Sequence, residues 1–401
     1  MNNRFQNKLI CGDNFDELAH LDKESVDLIY IDPPFFTHKQ YEVIWGDEAE
    51  TRSFEDRWEG GIEHYVGWMR DRVRIMRDIL KPDGSLYLHC DWHAAAHLKI
   101  VMDDVFGLNC FQNEIIWWYH TGGASKKRYA RSHDNLLFYT KGKKWTFNWR
   151  ELKYRRTEKA LERAKNPKGA RISSTDIYKV PEDVLEIQQM NPMAKERLGY
   201  PTQKPEALLE SIIKVSSNPG DLVLDAFCGC GTALVVAQKL KRHWIGIDIS
   251  PTAIKVVEDR FARLPAAPIK NIDYIVIGAP KTLEQLKKLK PFEFQNWVIN
   301  EMGAHHSRKK VGDMGLDGYL PRTILHGEAG IQVKQSENIG RNVIDNFVSA
   351  LQRVKCNKGY IIAFSFGKGA HEEVARLKNE GAIDIKLVNV EDLLYKKKPI
   401  E

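Results

Sequence analysis

The sequence predicts an α/β fold in two parts, a large and mostly parallel sheet followed by a smaller α/β domain. Short apolar strands alternate with amphipathic helices, two of the strands stop at tight loops, and the same texture resumes after a long polar interruption. Val26–Ile31 is an apolar run of strand length that stops at Asp32-Pro33-Pro34, because two prolines cannot extend a sheet ladder. Tyr65, Met69, Val73, Met76 and Leu80 recur at three- and four-residue spacing, which predicts a helix whose other face carries Arg70, Arg72, Arg74 and Arg77. Lys81-Pro82-Asp83-Gly84 is expected to end that helix. Ser85–His89 reads as the next strand, so the unit is strand, helix, strand, as in a parallel sheet with crossover helices.

From about 141 to 198 the apolar periodicity weakens and charged, Asn/Pro/Gly-containing sequence takes over, as expected of an inserted recognition region. Regular texture returns at Pro205–Leu209, followed by the strands Leu222–Asp225 and Trp244–Asp248. The proline-bearing Leu264–Pro268 and the basic helix-like Leu283–Leu289 separate this core from a last segment long enough for a small domain. The expected division is therefore a domain over 1–275, a linker over 276–290 and a second domain over 291–401.

Composition narrows the function classes. An apolar share of 43% is that of a globular protein, and no apolar run approaches the roughly 20 residues of a membrane helix, so no membrane partner is expected. Met1-Asn2-Asn3-Arg4-Phe5 lacks the charged-then-apolar pattern of a secretory signal, and a cytoplasmic location follows as an expectation. The six cysteines, at 11, 90, 110, 228, 230 and 356, form neither a disulfide framework nor a paired CxxC zinc pattern, and are read as reduced thiols. The net charge of +6 is unevenly spread: residues 126–171 hold 16 Lys or Arg against 4 Asp or Glu. Tyr129, Trp145, Phe147, Trp149 and Tyr154 are interleaved with these cations, the mixture that neutralises phosphates and stacks on bases; a solvated charged surface is the alternative.

Two loops carry the chemistry. Asp225-Ala226-Phe227-Cys228-Gly229-Cys230-Gly231-Thr232 follows a buried strand and opens a helix, where glycines permit close backbone approach and the helix presents free N–H groups. Asp248, at the end of the next strand, can accept the hydroxyls of a ribose. The loop does not complete GxGxxG, so a nicotinamide cofactor is not expected. Asp32-Pro33-Pro34-Phe35 ends a strand at the edge where ligands of open α/β sheets bind. Cys228 and Cys230 read as small residues of a tight loop, and His93 and His97 as surface or packing residues without the Glu of a zincin helix.

Asp32–Phe35 resembles the catalytic motif of amino-group DNA methyltransferases, and Asp225–Thr232 resembles their S-adenosylmethionine motif. Their order, with a variable region between them, is that of the β class of N6-adenine enzymes; Thr202-Gln203-Lys204-Pro205, Lys81–Ser85 and His133–Tyr139 match further motifs, over roughly residues 8–262. The resemblance implies a Rossmann-like, circularly permuted methyltransferase sheet that binds S-adenosylmethionine and double-stranded DNA; it leaves homodimerisation open. It assigns Asp32 and the Pro33 carbonyl as acceptors for the two amine protons, with Pro34 in the same motif and Phe35 stacking on a flipped base. It assigns Asp13, Lys204, Asp225, Phe227, Gly229, Gly231, Thr232 and Asp248 to the cofactor, Asp13 having a turn or helix cap as its alternative. No Pro-Cys dipeptide supplies the nucleophile of cytosine-C5 enzymes. Cytosine N4 is the rival target, and the Asp that begins the motif favours adenine by family usage.

In the tail, Asp317 on one strand and Gln332-Val333-Lys334 on the next would let alternate side chains project from one sheet edge, a geometry able to hold a divalent ion. This resembles the Mrr-like branch of the restriction-endonuclease fold, with Asp317 as the acid and metal ligand, Gln332 in place of the second acid and Lys334 as the catalytic lysine. Gly359–Phe366 is similar to a later core strand of that fold. A Mg2+-dependent DNA endonuclease is implied, and a non-catalytic tail retained for DNA binding is the alternative.

Overall fold

The structure is a computed structural model that describes residues 6–34, 36, 61–120, 126–127, 129–165, 176–190, 194, 196–198, 203–289, 291–306, 316–320, 328–381 and 383–395. It divides into two compact units, the first made of most of the chain up to Ile277 and the second of Gly278 onward with two short earlier stretches.

The first unit is built on nine strands: β1 (Asn7–Cys11), β2 (Val26–Ile31), β3 (Leu80–Cys90), β4 (Phe111–Trp118), β5 (His133–Thr140), β6 (Val184–Glu186), β7 (Leu222–Asp225), β8 (His243–Asp248) and β9 (Tyr274–Ile277). Their order across the sheet is β6-β4-β5-β3-β2-β7-β8-β1-β9. The chain lays down β2 to β6 before β7 and β8, so the halves of the sheet are taken in permuted order, with β1 inserted beside β8. Strands from β3 to β9 along the sheet are mutually parallel, whereas β5 is antiparallel to β3 and β4. One edge therefore collects the C-terminal ends of β1, β2, β3, β7 and β8 together with the N-terminal end of β5.

Helices α1 (Asn14–Leu18), α2 (Gly61–Ile79) and α3 (Ala95–Phe106) belong to one layer. Tyr65, Met69, Val73, Met76, Leu98 and Met102 from this layer bury against Ile29, Ile31, Leu86, Leu88, Leu137, Tyr139, Leu224, Ile245 and Ile247 of the sheet. Side chains alternate along a strand, so Tyr30, Tyr87 and Phe138 face the other layer. There the Tyr87 hydroxyl meets Ser216 Oγ of α5 at 2.7 Å. Further helices are α4 (Glu158–Lys165), α5 (Glu206–Ser216), α6 (Thr232–Lys239) and α7 (Pro251–Ala262).

Two local expectations are corrected. Arg72, placed by periodicity on the polar face of α2, is 5% exposed, because its guanidinium has partners inside, described below. Lys81–Gly84 is not an open turn: it is an irregular start of β3, where Leu80 pairs with Val26 and the register then shifts so that Ser85 pairs with Leu28. An ion pair between Lys81 and Asp27, at 2.7 Å, holds it to β2. The region 141–198 is tied to the sheet through β6, which pairs with β4, and to α5 through Asn148, whose N–H donates to the Val215 carbonyl at 2.7 Å.

The second unit has a five-stranded sheet ordered β10 (His305–His306), β11 (Gly318–Leu320), β12 (Ala329–Lys334), β13 (Lys358–Ala363) and β14 (Asp384–Asn389). The first three are antiparallel and the last three parallel. Its helices are α8 (Leu283–Lys288), α9 (Pro291–Glu301), α10 (Arg341–Arg353), α11 (Lys368–Asn379) and α12 (Val390–Leu394). One face buries Ile331, Val333, Tyr360 and Ile362 with Phe294 and Val298; the other buries Ile361 and Ile385 with Ile344, Phe347 and Leu351. Within 276–290, expected as a linker, Leu286 is fully buried in the first of these cores, since its helix has an apolar side that needs cover. No helix among the described residues is long and apolar enough to cross a membrane.

Candidate active site

Residues two apart share a face of a strand, and this periodicity assembles the site. Tyr30 and then Asp32 continue β2 on the α5 side; Tyr87 and His89 do so on β3, and Phe138, Leu136 and Asp134 on antiparallel β5. Asp32 Oδ2 is ion-paired with the Lys204 ammonium. Its Oδ1 lies 4.0 Å from Nδ1 of His89, a side chain with no exposure. The same Nδ1 is 2.8 Å from the Tyr30 hydroxyl, and His89 Nε2 is 3.4 Å from Asp134 Oδ2. Tyr119 donates to the other Asp134 oxygen at 3.1 Å. Burial would raise the Asp134 carboxyl, but the hydrogen bond and charge of His89, with Lys204 and Tyr119, outweigh it and hold it below the ordinary range. Lys204, expected at the wall of a cofactor pocket, is thus a partner of Asp32. His89 and Asp134 were not singled out from the sequence, although the alternation that aims Asp32 also aims them.

The glycine loop after β7 is held from several sides. Gly229 and Gly231 have φ of +47° and +72°, a region where glycine carries no steric penalty. A Cβ on Gly231 would also lie 2.7 Å from Val257 Cγ2. The Gly229 N–H donates to Asp248 Oδ2 at 2.8 Å, tying the loop to β8. Arg260, 6% exposed, donates to the Cys230 carbonyl at 3.1 Å and Thr232 Oγ1 at 3.0 Å, and pairs with Glu206 at 2.9 Å. Asp225 accepts from the Phe227 N–H at 3.1 Å. Burial, with Asp32 and Asp248 nearby, pushes its carboxyl up to about 8, so it keeps its proton at neutral pH.

Asp13 caps α1, accepting from the Phe15 N–H at 2.9 Å, and it pairs with Arg72 at 2.7 Å. Arg72 also donates to Asn14 Oδ1 at 2.5 Å and lies 3.9 Å from the centre of the Trp68 ring; Asn14 Nδ2 in turn donates to the Ala226 carbonyl at 2.7 Å. Trp68 packs on Phe227, ring centroids 5.7 Å apart. This arginine joins the end of β1 to the glycine loop, and only its burial distinguishes it from the other arginines of α2. Cys228 and Cys230 are buried thiols, and no group of three or more His, Cys, Asp or Glu among the described residues gathers as a metal cluster. His93 pairs with Asp91. Phe35 and Thr202 lie outside the described residues. In the basic region Tyr129 is 97% exposed, while Arg150 pairs with Asp176 at 2.8 Å.

In the second unit Gly318 pairs with Ile331; continuing that antiparallel register by one residue sets Asp317 opposite Gln332. Lys334 is two residues further along the same face of β12. Asp317 Oδ2 accepts the Val333 N–H at 2.6 Å. The strands thus bring Asp317, Gln332 and Lys334 to one edge, with one carboxylate and one amide as oxygen donors.

The DNA methylase family model matches residues 26–259, and the restriction endonuclease family model matches residues 286–395. Type II methyltransferase M.HpaI of Haemophilus parainfluenzae is 34% identical over 255 residues, 63% of this chain and 73% of that protein. DNA adenine methyltransferase YhdJ of Escherichia coli (strain K12) is 31% identical over 262 residues, 63% of this chain and 83% of that protein. A solved structure described as PvuII DNA methyltransferase (cytosine-N4-specific) aligns at 18% identity with a TM-score of 0.47, covering 65% of this chain and 88% of that one. With more than half its length matched, between Val26 and Asp259, this chain belongs to the DNA methylase family.

Proposed function

We propose that the chain methylates the exocyclic N6 of adenine in double-stranded DNA, with S-adenosylmethionine as donor and the target base flipped out of the duplex. The observation that carries this reading is the single sheet edge on which Asp32, with its Lys204 partner, stands beside the glycine loop bearing Asp225 and the strand end bearing Asp248. Three acids clustered in a largely buried edge, with the Asp225 carboxyl pushed up to about 8 by burial and by Asp32 and Asp248, suit a cofactor that carries cationic groups. Bound there, S-adenosylmethionine supplies a methyl group activated on a sulfonium. Gly229, Gly231 and Thr232 would cradle it, Asp225 and Phe227 would line it, and Asp248 and Asp13 would address its ribose and adenine ends.

The chain's own part is to make a poor nucleophile competent. The N6 lone pair of adenine is delocalised into the ring; Asp32 and the Pro33 carbonyl, accepting its two protons, favour the pyramidal nitrogen that attacks in line. Phe35 would compensate lost stacking, and the basic stretch 126–171 would neutralise phosphates. Nucleoside mass spectrometry of DNA incubated with protein and cofactor tests the reading. N6-methyladenine is expected, N4-methylcytosine would replace adenine as target, and no modified base would overturn the assignment.

Asp248→Ala is expected to weaken S-adenosylmethionine binding at least about tenfold by calorimetry. It removes an anionic acceptor and releases the Gly229 N–H, and a hydrogen bond to a charged group contributes about 1.5–3 kcal/mol. An unchanged dissociation constant would place this acid outside the cofactor site.

For the second unit we propose Mg2+-dependent DNA cleavage, Asp317 and Gln332 holding the ion and Lys334 orienting a water. Cutting of unmethylated, hemimethylated and methylated duplexes with Mg2+ or Mn2+ should cease on Lys334→Ala, with methylation intact. Failure to cut any of them, with DNA affinity lost on deleting 291–401, would assign the tail to binding. We place the enzyme in the cytoplasm; light scattering tests for a homodimer.

A further inference from the structure

The sheet edge that bears Asp32 also carries a solvent-facing aromatic and a cation that the proposed chemistry does not use. Trp92 follows the end of β3 and is 45% exposed. The guanidinium of Arg131, just before β5, lies 3.6 Å from the centre of its ring, and the His93 imidazole lies 3.6 Å from it, tilted by 32°. This cluster is braced from the sheet side. Asp91, 7% exposed, accepts the His93 N–H at 3.1 Å and binds the His93 ring, while its carbonyl takes the Ala95 N–H at the start of α3. Strands β3 and β5 are paired as far as Cys90 and Asn135, so the segments bearing Trp92 and Arg131 leave the sheet side by side. Trp92 is three residues on from His89, at most about 11 Å of chain, and His89 Nδ1 is 4.0 Å from Asp32. The stack therefore stands on the rim of the site that Asp32 marks.

Two other arginines stack on tryptophan, and each is engaged within the protein. Arg72 on Trp68 is buried and paired with Asp13, and Arg150 on Trp149 is neutralised by Asp176 at 2.8 Å. Arg131 is exposed and meets no carboxylate among the described residues. An indole half open to water beside an unneutralised guanidinium is a surface that fits a nucleobase next to a phosphate. The π face takes the base, and a guanidinium stacked by its face keeps its N–H edge for the anion. Tyr129, 97% exposed, lies on the same segment as Arg131. We propose that Trp92 and Arg131 form a stacking seat for the duplex at the flipped adenine: Trp92 covers the base face that flipping lays bare, and Arg131 bonds a neighbouring backbone phosphate. This rests on the amino-methyltransferase reading above and deepens it by assigning what holds the opened duplex. Extruding a base forfeits its stacking on both neighbours, and an aromatic face replaces part of that contact while the base occupies the pocket. Trp92 is thus a positioning residue that acts on the duplex and not on the reacting atoms.

The test uses the full-length protein and a duplex that the wild type methylates, with adenine at the target for turnover and 2-aminopurine there for binding. Trp92→Leu keeps an apolar side chain without a π face, and Trp92→Phe restores a π face. Loss of one base–aromatic stack should slow single-turnover methylation by Trp92→Leu about 10-fold or more, and it should dim the 2-aminopurine signal of the flipped base. Cofactor affinity and thermal unfolding should stay like wild type, and Trp92→Phe should recover most of the rate. Mispairing the target adenine lowers the cost of extrusion, so on that duplex the deficit of Trp92→Leu should shrink. A wild-type rate for Trp92→Leu, an equal deficit on both duplexes, or Trp92→Phe as slow as Trp92→Leu would overturn the proposal. If Trp92→Leu does not fold, Arg131→Gln decides: the slope of log affinity for DNA against log salt should become shallower by about 0.9 for one lost phosphate contact, and an unchanged slope counts against us. A wild type that methylates no DNA would instead remove the function itself, and this inference with it.

Discussion

Asp32→Ala should abolish methyl transfer while S-adenosylmethionine still binds. The carboxylate is aimed at the incoming amine from the end of β2, and it holds no glycine-loop backbone group, so its loss removes acceptor strength and leaves the cradle intact. Loss of one preorganised acceptor of this kind typically costs on the order of 100-fold or more in rate, and here Lys204 and His89 also lose their anionic neighbour. Asp32→Asn separates charge from shape: it keeps a hydrogen-bonding side chain of the same size and should be nearly as inactive if the charge matters. Single-turnover assays with calorimetry of cofactor binding decide the case. Activity above about a tenth of wild type in Asp32→Ala would show that another group holds the amine.

Gly231→Val is expected to remove cofactor binding and, with it, all methylation. At φ +72° a β-branched residue suffers the left-handed penalty, roughly 1–2 kcal/mol for residues with a Cβ. The new Cβ would also stand 2.7 Å from Val257 of α7. Gly231 is the N-cap residue of α6 and donates to the Cys228 carbonyl at 2.7 Å, so the strain is relieved only by shifting the loop that would hold the cofactor. Circular dichroism should report a folded protein, because the two faces of the sheet are packed without this residue. Calorimetry should detect no S-adenosylmethionine binding at concentrations that saturate the wild type. Normal affinity would mean that the loop is not the cofactor cradle.

The α/β fold and both loops were legible because they rest on local rules. The prolines after Asp32 stop a strand, glycines between Asp225 and Thr232 mark a turn against a helix, and strand runs such as Val26–Ile31 can be read as buried from composition alone. Asp317, Gln332 and Lys334 were likewise predicted as neighbours from alternation on successive strands, and the antiparallel pairing of β11 with β12 sets them on one edge. What escaped the sequence is equally specific. Arg72 sits on the same helix as the more exposed Arg70, Arg74 and Arg77 and is buried because Asp13, Asn14 and Trp68 meet it inside. The start of β3 at Leu80 depends on its pairing with Val26, a contact with no local signature.

The sequence by itself determined which side chains stand at strand ends and toward which face of their own strand they point, since that follows from a two-residue period. It could not say which strands are neighbours. That the start of β5 runs back to the end of β3, setting Asp134 beside His89 and His89 beside Asp32, is decided by the order β5-β3-β2 and by β5 being antiparallel. Residues 134, 89 and 32 are separated along the chain by helices and loops, and only the packing of both helical layers against one sheet selects the strand order that brings their charges together.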